Sequence, residues 1–484
     1  MNKLKNFIMS FMVVFMMVLL TKTYVHAEGG DTLLKAVDVK VNTEIKDNIS
    51  SYTDIDCFKF TLQENGCISV TFKHEMIDEK ASWNIELMNS NYKTIYEMYS
   101  WEYKEETKSC NIGLPSGTYY IQIKRGSYLS EIEYSINVNY AASTNWETEF
   151  NGTALTSNLI KVNTDFYGSI RSNDDYDWYK FTLPEKGYIS VTFKHEMIDD
   201  QASWNIELMQ SDYKTIYELY SWEYKKEAKS CNIGLPSGTY YIRIIKGSYL
   251  SEIEYSINVN YVASANWETE FNETILTADN FELDKPVYGT LRTEKDVDYY
   301  SIDIPQTGYY GIYFSHNIQN SGNWTISAKK MIDGGVYDYE GGNFDSISVE
   351  NVSGKRFVNL TKGINYIKVE KVSGDLSQID YSLKVSPSLI PPINITKLKS
   401  SKKKQLNVKW GKVGNITGYE INIATNKKFT KGIKYYYSLS SKGSYTVKKL
   451  KRKKKYYVKI RAYIIEDGNY YYGEYSKIKA VKVK

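Results

Sequence analysis

The chain has 484 residues, of which 42% are hydrophobic, 15% aromatic and 24% charged, with a formal net charge of +4. So long a chain divides into several domains. Its four cysteines are too few to staple it, which excludes a disulfide-dense scaffold and leaves apolar cores to carry stability.

The first residues have the layout of an export signal. Lys3 and Lys5 are basic, Phe7 to Leu20 is apolar apart from Ser10, and Val25-His26-Ala27 fits a small-residue cleavage site. The apolar run is about 14 residues, short of the roughly 20 that a spanning helix needs. Residues 1–27 are therefore expected to be removed, leaving a mature chain from Glu28 with no transmembrane segment, secreted or loosely held on a cell wall.

Phe72-Lys73-His74-Glu75-Met76-Ile77-Asp78 returns 121 residues later as Phe193-Lys194-His195-Glu196-Met197-Ile198-Asp199. The match runs on through Trp83/Trp204 and Gly117/Gly238 to Tyr140/Tyr261, and a worn third copy begins near Asn266. A period of this length means duplicated domains rather than a solenoid. The expected units are 28–142, 143–263 and 264–387, then 388–484 past Ser386-Pro387 and Ile390-Pro391-Pro392, a stiff proline boundary.

Within a copy the pattern alternates. Phe58, Phe60 and Leu62 interleave with Lys59 and Thr61, Gly66 turns the chain, and Ile68, Val70 and Phe72 resume. Trp83, Ile85 and Leu87 share a face; Leu114-Pro115-Ser116-Gly117 turns again before Tyr119, Ile121 and Ile123; Tyr134, Ile136 and Val138 close the unit. Period two with turns at roughly 8–12-residue spacing predicts an all-β protein of antiparallel sandwiches with little helix. In the third copy Asp298-Tyr299-Tyr300 stands where Asp177-Trp178-Tyr179 stood, and Gly334-Gly335 and Gly341-Gly342 read as loop insertions. Cys110 and Cys231 hold equivalent places, while Cys57 and Cys67 belong to the first copy alone; a bridge between the latter two is not forced.

Asn145-Trp146-Glu147-Thr148-Glu149-Phe150-Asn151, Tyr167-Gly168-Ser169-Ile170, Asp175-Tyr176-Asp177-Trp178-Tyr179-Lys180-Phe181 and Leu235-Pro236-Ser237-Gly238-Thr239-Tyr240-Tyr241 together resemble the bacterial pre-peptidase C-terminal family. That family includes the collagen-binding domains of clostridial collagenases. The third copy keeps Glu268, Glu270, Asn272, Gly289, Asp296 and Asp298. The resemblance covers residues from about 30 to 387 and implies three tandem jelly-roll-like β-sandwiches of a kind appended to secreted enzymes. It departs from that arrangement in that no peptidase domain accompanies the repeats. The last unit resembles a fibronectin type III domain of Gram-positive surface proteins, which implies an immunoglobulin-like β-sandwich. Leu406, Val408 and Trp410 fit its second strand, Gly418-Tyr419-Glu420-Ile421-Asn422-Ile423 its third, and Tyr456 its tyrosine corner.

Glu147, Glu149 and Asn151 occupy alternate positions, so in an extended segment they face one side with hard oxygen ligands suited to calcium. The family resemblance adds Asp174, Asp175 and Asp177, and Glu268, Glu270, Asn272, Glu273, Asp296 and Asp298 repeat the set. In the resembling domains such residues bind structural calcium and fix the linker; a solvated acidic linker is the alternative. The first copy lacks Glu-x-Glu-x-Asn and offers only Asn42, Glu44, Asp54 and Asp56 nearby.

His74, His195 and His316 recur on the face of Phe72, Phe193 and Phe314 and read as half-buried, hydrogen-bonded side chains. With no nucleophile recurring beside them and no catalytic motif, the chain reads as no enzyme. Tyr99, Trp101 and Tyr103 share a strand face opposite Ser100, and recur as Tyr220, Trp222 and Tyr224. Core packing is the first reading of that face, and contact with an extracellular protein or polysaccharide the second.

Residues 390–484 carry 23 Lys and 2 Arg against 4 acidic residues, a formal +21; the first 27 residues carry +3, which leaves −20 for residues 28–389. The dense patches are Lys402, Lys403 and Lys404, then Lys448, Lys449, Lys451, Arg452, Lys453, Lys454 and Lys455. Such a module suits a polyanion, with the wall polymer of a Gram-positive bacterium nearest at hand, and carries no module for specific nucleic acid. The sequence thus points to a secreted or cell-surface multidomain binding protein, with a calcium-stiffened spacer or an accessory of a secreted enzyme system as alternatives.

Overall fold

The computed structural model describes residues 25–26 and 29–484, other than 130, 294, 317–322, 333–334, 344–352, 374–378, 388–389, 391–392, 415 and 467. The export signal expected at 1–27 lies outside the described residues except for Val25–His26, a two-residue strand. Pro391-Pro392 and Gly334 lie outside them as well.

The protein is all-β, built of repeated sandwich-like sheets of about five strands, and among the described residues the helical element is one short turn, Leu33–Lys35. In the first copy one sheet runs Val37–Asp38, Ile55–Leu62, Gly117–Arg125, Ser82–Met88, Thr94–Trp101. The other runs Val25–His26, Ile45–Asp47, Tyr134–Ala142, Gly66–His74, Glu106–Lys108, with Ile112–Leu114 also on Gly66–His74. Cross-strand pairing sets Phe58 against Ile121 and Phe60 against Tyr119 in the first sheet, and Phe72 against Ile136 and Val70 against Val138 in the second. Those side chains and Trp83 form one buried cluster, each large apolar group contributing about 1.5–3 kcal/mol. The alternation read from the sequence is thus the alternation of these strands.

The second copy repeats the order as Asn158–Leu159, Tyr176–Leu183, Gly238–Lys246, Ser203–Met209, Thr215–Trp222, and the third as Asp279–Asn280, Val297–Ile304, Gly363–Ser373, Asn323–Ile332, Gly335–Asn343. The last of these corrects one expectation: Gly341-Gly342 falls in a strand, not a loop insertion. Gly335, expected in the same way, opens this strand opposite Ile332, while Gly341-Gly342 fall at the register shift between Asp338 and Asn343, an edge-strand irregularity that suits glycine.

The fourth unit has a three-stranded sheet, Ile395–Lys399, Leu406–Trp410, Ser444–Val447, and a five-stranded one of Lys434–Leu439, Gly418–Ala424, Lys455–Glu466 and Asn469–Tyr472, with Lys479–Lys482 also on Lys455–Glu466. Trp410 packs on Tyr419 at 5.0 Å between ring centroids, and the Tyr456 hydroxyl accepts the Lys451 N–H at 3.1 Å.

Backbone contacts divide the chain into two compact units. One comprises Met1–Phe181, Thr192–Ala228 and Tyr240–Asn258; the other comprises Thr182–Val191, Lys229–Thr239 and Val259–Lys484. Among the described residues no helix is long and apolar enough to cross a membrane. All four cysteines are free thiols: Cys57 and Cys67 lie on strands of different sheets.

Candidate metal centre

Neighbours on two sides hold the backbone of the Trp146–Asn151 segment, which bends at Glu149 rather than running as the extended segment expected from the sequence. Glu147 N–H donates to the Tyr167 carbonyl at 2.9 Å, Glu149 N–H to that of Gly113 at 3.0 Å, and Trp178 N–H to that of Asn151 at 3.2 Å. Trp146 stacks on Tyr167, 5.8 Å between centroids. Two glycines permit the approach. A Cβ on Gly113 would lie 1.8 Å from the Glu147 carbonyl oxygen, and one on Gly168 would lie 2.6 and 2.7 Å from the Tyr179 and Tyr255 hydroxyls. Glu147 and Asn151 are buried and the Glu149 side chain is 1% exposed, though not through strand alternation, since the chain bends at Glu149 and Trp146 is buried beside Glu147.

Glu147 Oε1 accepts the Ser169 N–H at 2.7 Å, and Oε2 accepts from Asn151 Nδ2 at 3.0 Å and the Tyr179 hydroxyl at 2.9 Å. The Tyr179 and Tyr255 hydroxyls lie 2.6 Å apart, and Tyr255 donates to Asp177 Oδ2 at 2.5 Å. Ligand oxygens of Glu147, Glu149 and Asp177 fall within 4.8 Å of one another. Glu149 Oε2, Asn151 Oδ1 and Asp177 Oδ1 are buried and accept no hydrogen bond, while Glu149 Oε1 faces the Arg171 guanidinium at 2.8 Å. A buried oxygen without a donor costs about 1–3 kcal/mol, more when charged, so the converging carboxylates of Glu147, Glu149 and Asp177 fit a hard cation that takes only oxygen ligands.

Electrostatics agree. Burial pushes the Glu147 carboxyl up to about 7, against the Ser169 N–H that lowers it. Burial also holds Glu149 and Asp177 well above the usual carboxylate range, with Arg171 opposing the effect at Glu149 and Glu147 adding to it at Asp177. A divalent cation would let these groups stay ionised.

The third copy builds the same centre. Glu268 Oε1 accepts the Thr290 N–H at 2.6 Å, and Oε2 accepts from the hydroxyls of Tyr300 at 3.0 Å and Tyr381 at 3.2 Å. Tyr381 also donates to Asp298. Glu270 Oε2, Asn272 Oδ1 and Asp298 Oδ1 accept no hydrogen bond, while Glu270 Oε1 faces the Arg292 guanidinium. Burial raises Glu268 to about 7 and holds Glu270 and Asp298 well above the usual carboxylate range. Glu273 adds a carboxylate where the second copy has Gly152, and its oxygen falls with those of Glu270 and Asp296 within 4.8 Å.

Arginine is what the sequence reading missed. Arg171, 8% exposed, lies 2.8 Å from Glu149 and holds Asp175 through Nε and a terminal nitrogen at 3.0 Å each. Arg292 likewise lies 2.5 Å from Glu270, 2.5 Å from Glu273 and 3.2 Å from Asp296. Asp175 and Asp296 therefore pair with arginine, and Asp174 is exposed, outside the buried cluster. A signal existed: the first copy, without Glu-x-Glu-x-Asn, has Ser50 in place of the arginine and Phe58 in place of Tyr179. There Ser50 binds Asp54, and Asp56 keeps only the tyrosine, Tyr134 at 2.5 Å.

The aromatic face requires a correction. On Thr94–Trp101 and Thr215–Trp222 the buried positions are Ile95, Met98 and Ser100, and Ile216, Leu219 and Ser221. Tyr99, Tyr103, Tyr220, Trp222 and Tyr224 are exposed and Trp101 is half-buried, so core packing fails for these rings, and Tyr103 and Tyr224 lie in the turns past the strand ends rather than on the strand face expected for them. Ser100 goes inward because His74 needs it: the ring is buried, stacks on Trp83 at 4.3 Å, and lies 3.3 Å from the Ser100 hydroxyl, an arrangement His195, Trp204 and Ser221 repeat.

The ten basic candidates are all exposed. Lys404 N–H donates to the Lys484 carbonyl at 2.9 Å, Leu450 N–H to that of Lys404 at 3.0 Å, and Lys453 N–H to that of Val483 at 2.8 Å. Segments 402–404, 448–455 and 482–484 thus meet at one end of the fourth unit.

No protein-family model matches the chain. Among solved structures, the pre-peptidase C-terminal domain of collagenase from Bacillus anthracis is 18% identical over 22% of this chain and 94% of that one, with a TM-score of 0.18. The fn3 domain of human collagen alpha-1(XX) is 18% identical over 18% and 78%, with a TM-score of 0.15. The FN5 domain of Drosophila Lar is 18% identical over 20% and 97%, with a TM-score of 0.17. Each is a loose, partial likeness between β-sandwich domains.

Proposed function

We propose that this is a secreted or cell-surface, non-catalytic binding protein: three jelly-roll-like sandwiches of pre-peptidase type at 28–142, 143–263 and 264–387, then a fibronectin type III domain at 388–484. The repeats contact an extracellular protein or polysaccharide, and the basic fourth domain contacts a wall polyanion. Structural calcium, held by Glu147, Glu149, Asn151 and Asp177 and by Glu268, Glu270, Asn272 and Asp298, stiffens the starts of the second and third repeats. The Lys451–Tyr456 hydrogen bond supports the fibronectin type III reading of the fourth domain.

The observation that carries the binding reading is the exposed aromatic set that recurs on two edge strands and the turns after them, Tyr99 with Tyr103 in one repeat, Tyr220 and Trp222 with Tyr224 in the next. Two equivalent weak sites on one chain gain avidity, up to about a hundredfold or more over either alone. The test is retention of the full chain on fibrillar collagen and on a glycan surface, with W101A and W222A singly and together. A double variant that loses far more than either single supports the reading; equal retention by all overturns it. The spacer alternative is favoured by the two acid centres, and it predicts that none of these variants changes retention.

A further inference from the structure

The outer face of the five-stranded sheet in the fourth unit is paved with tyrosine. Pairing sets Glu420 between Tyr437 and Arg461, Gly418 between Leu439 and Tyr463, and Tyr463 opposite Tyr472. Ring centroids lie 5.8 Å apart for Tyr437–Tyr463, 5.4 Å for Tyr463–Tyr470 and 6.1 Å for Tyr470–Tyr472. Tyr437, Tyr470 and Leu439 are nonetheless 49%, 52% and 66% exposed. Gly418 keeps the middle of the row low, since a Cβ there would stand 2.8 Å from the Tyr463 hydroxyl.

These rings are held in place. Glu420, 2% exposed, accepts from the hydroxyls of Tyr437 at 3.2 Å and Tyr475 at 2.5 Å and from two Arg461 nitrogens at 2.9 and 3.3 Å. The Arg461 guanidinium lies 3.7 Å over Tyr472, and the Lys459 ammonium 3.6 Å over Tyr475. Beside them Asn422, 3% exposed, has an Oδ1 that accepts no hydrogen bond. Tyr437 is thus fixed by a buried carboxylate and Tyr470 by its ring neighbours, which lowers the ordering cost of binding, and Arg461, itself paired with Glu420, and Lys459 border the face within a unit of formal charge +21.

We infer that this face is a binding site for an anionic polysaccharide. Sugar rings stack on Tyr437 and Tyr470, while their carboxylate or sulfate groups meet Arg461 and Lys459. Aromatic rings bordered by phenol hydroxyls suit the apolar face and hydroxyl rim of a pyranose, whereas a polyphosphate would need only the lysines. The inference rests on the polyanion reading of the basic domain and adds recognition of the sugar.

The test measures capture of the full chain on immobilised heparin and on inorganic polyphosphate. Y437A/Y470A removes two half-exposed rings; its heparin affinity should fall about tenfold or more with polyphosphate capture unchanged. Y437F/Y470F keeps the rings and should retain heparin, which separates stacking from a loss of packing. Unchanged heparin affinity in the alanine variant, or equal loss on both surfaces, overturns the tyrosine site while leaving the basic domain a polyanion binder. Capture of neither polymer by the wild-type chain overturns both.

Discussion

Asn151 donates its amide nitrogen to Glu147 at 3.0 Å and leaves its own Oδ1 buried without a donor, and Asn272 does the same beside Glu268 at 3.3 Å. An amide that ties a carboxylate with one end and keeps its carbonyl unpaired is arranged as a cation ligand is. The same choice at two places in one chain makes a packing accident a poor explanation.

Calcium should therefore raise the unfolding temperature of the full chain, and chelator should lower it. At a hundredfold excess over Kd, binding to the native state adds about 2.7 kcal/mol per site. In E149Q/E270Q one carboxylate charge is gone from each centre and most of that gain should vanish. Differential scanning calorimetry with calcium and with chelator checks it; identical traces for the wild type would remove the metal from the account.

Arg171 compensates two buried carboxylates, so R171A should destabilise its unit by about 3–5 kcal/mol, the cost of breaking a buried pair from one side. Excess calcium should restore part of the loss, because a cation can take over neutralisation of Glu149. The same change at an exposed basic residue such as Lys403 should stay within about 0.5 kcal/mol. Denaturant titration of both variants measures the contrast.

Asp56 gives a pH signature in the first copy. Burial lifts its carboxyl from 3.8 to about 7, opposed by the Tyr134 hydroxyl and reinforced by Asp47, Asp54 and Asp31. Between those two values the native state holds a proton that the unfolded chain has released, so Asp56 makes stability fall as pH rises through that window. D56N cannot titrate and should lack this slope. The wild-type-minus-variant difference in unfolding temperature, compared at about pH 5 and about pH 7.5, should be more favourable to the wild type at the lower pH.

Loss of Tyr99 and Tyr220 should leave the fold alone, since both rings are about half exposed and their hydroxyls reach only Glu97 and Glu218 on the same strands. Y99A/Y220A is expected within about 0.5 kcal/mol of the parent while ligand capture falls. A large drop in unfolding temperature would return these rings to a packing role.

Truncation of residues 390–484 should remove the salt-sensitive part of retention on wall polymer or heparin. Screening shortens the reach of exposed charges to about 8–10 Å at physiological ionic strength, so wild-type retention should weaken steeply with salt. Salt-independent retention, unchanged by the truncation, would discard the polyanion role of the lysine turns.

Much was legible before any coordinates. The 121-residue repeat, the strand alternation and the acidic spacing at Glu147, Glu149 and Asn151 are local patterns, and a two-residue period writes itself into sequence wherever one strand face is buried. That period names two faces without saying which is inside: Tyr99 and Ser100 alternate whichever way the strand lies, and it is His74 and Thr107, from other strands, that meet Ser100 on the inner side. Convergence was equally out of reach. Arg171 meets Glu149 across 22 positions, and Lys404 meets Lys484 across 80, because sheet pairing brings distant segments together. Periodicity is a property of neighbours along the chain, and the donor-free oxygens, the arginine clamp and the lysine pole are properties of neighbours in space.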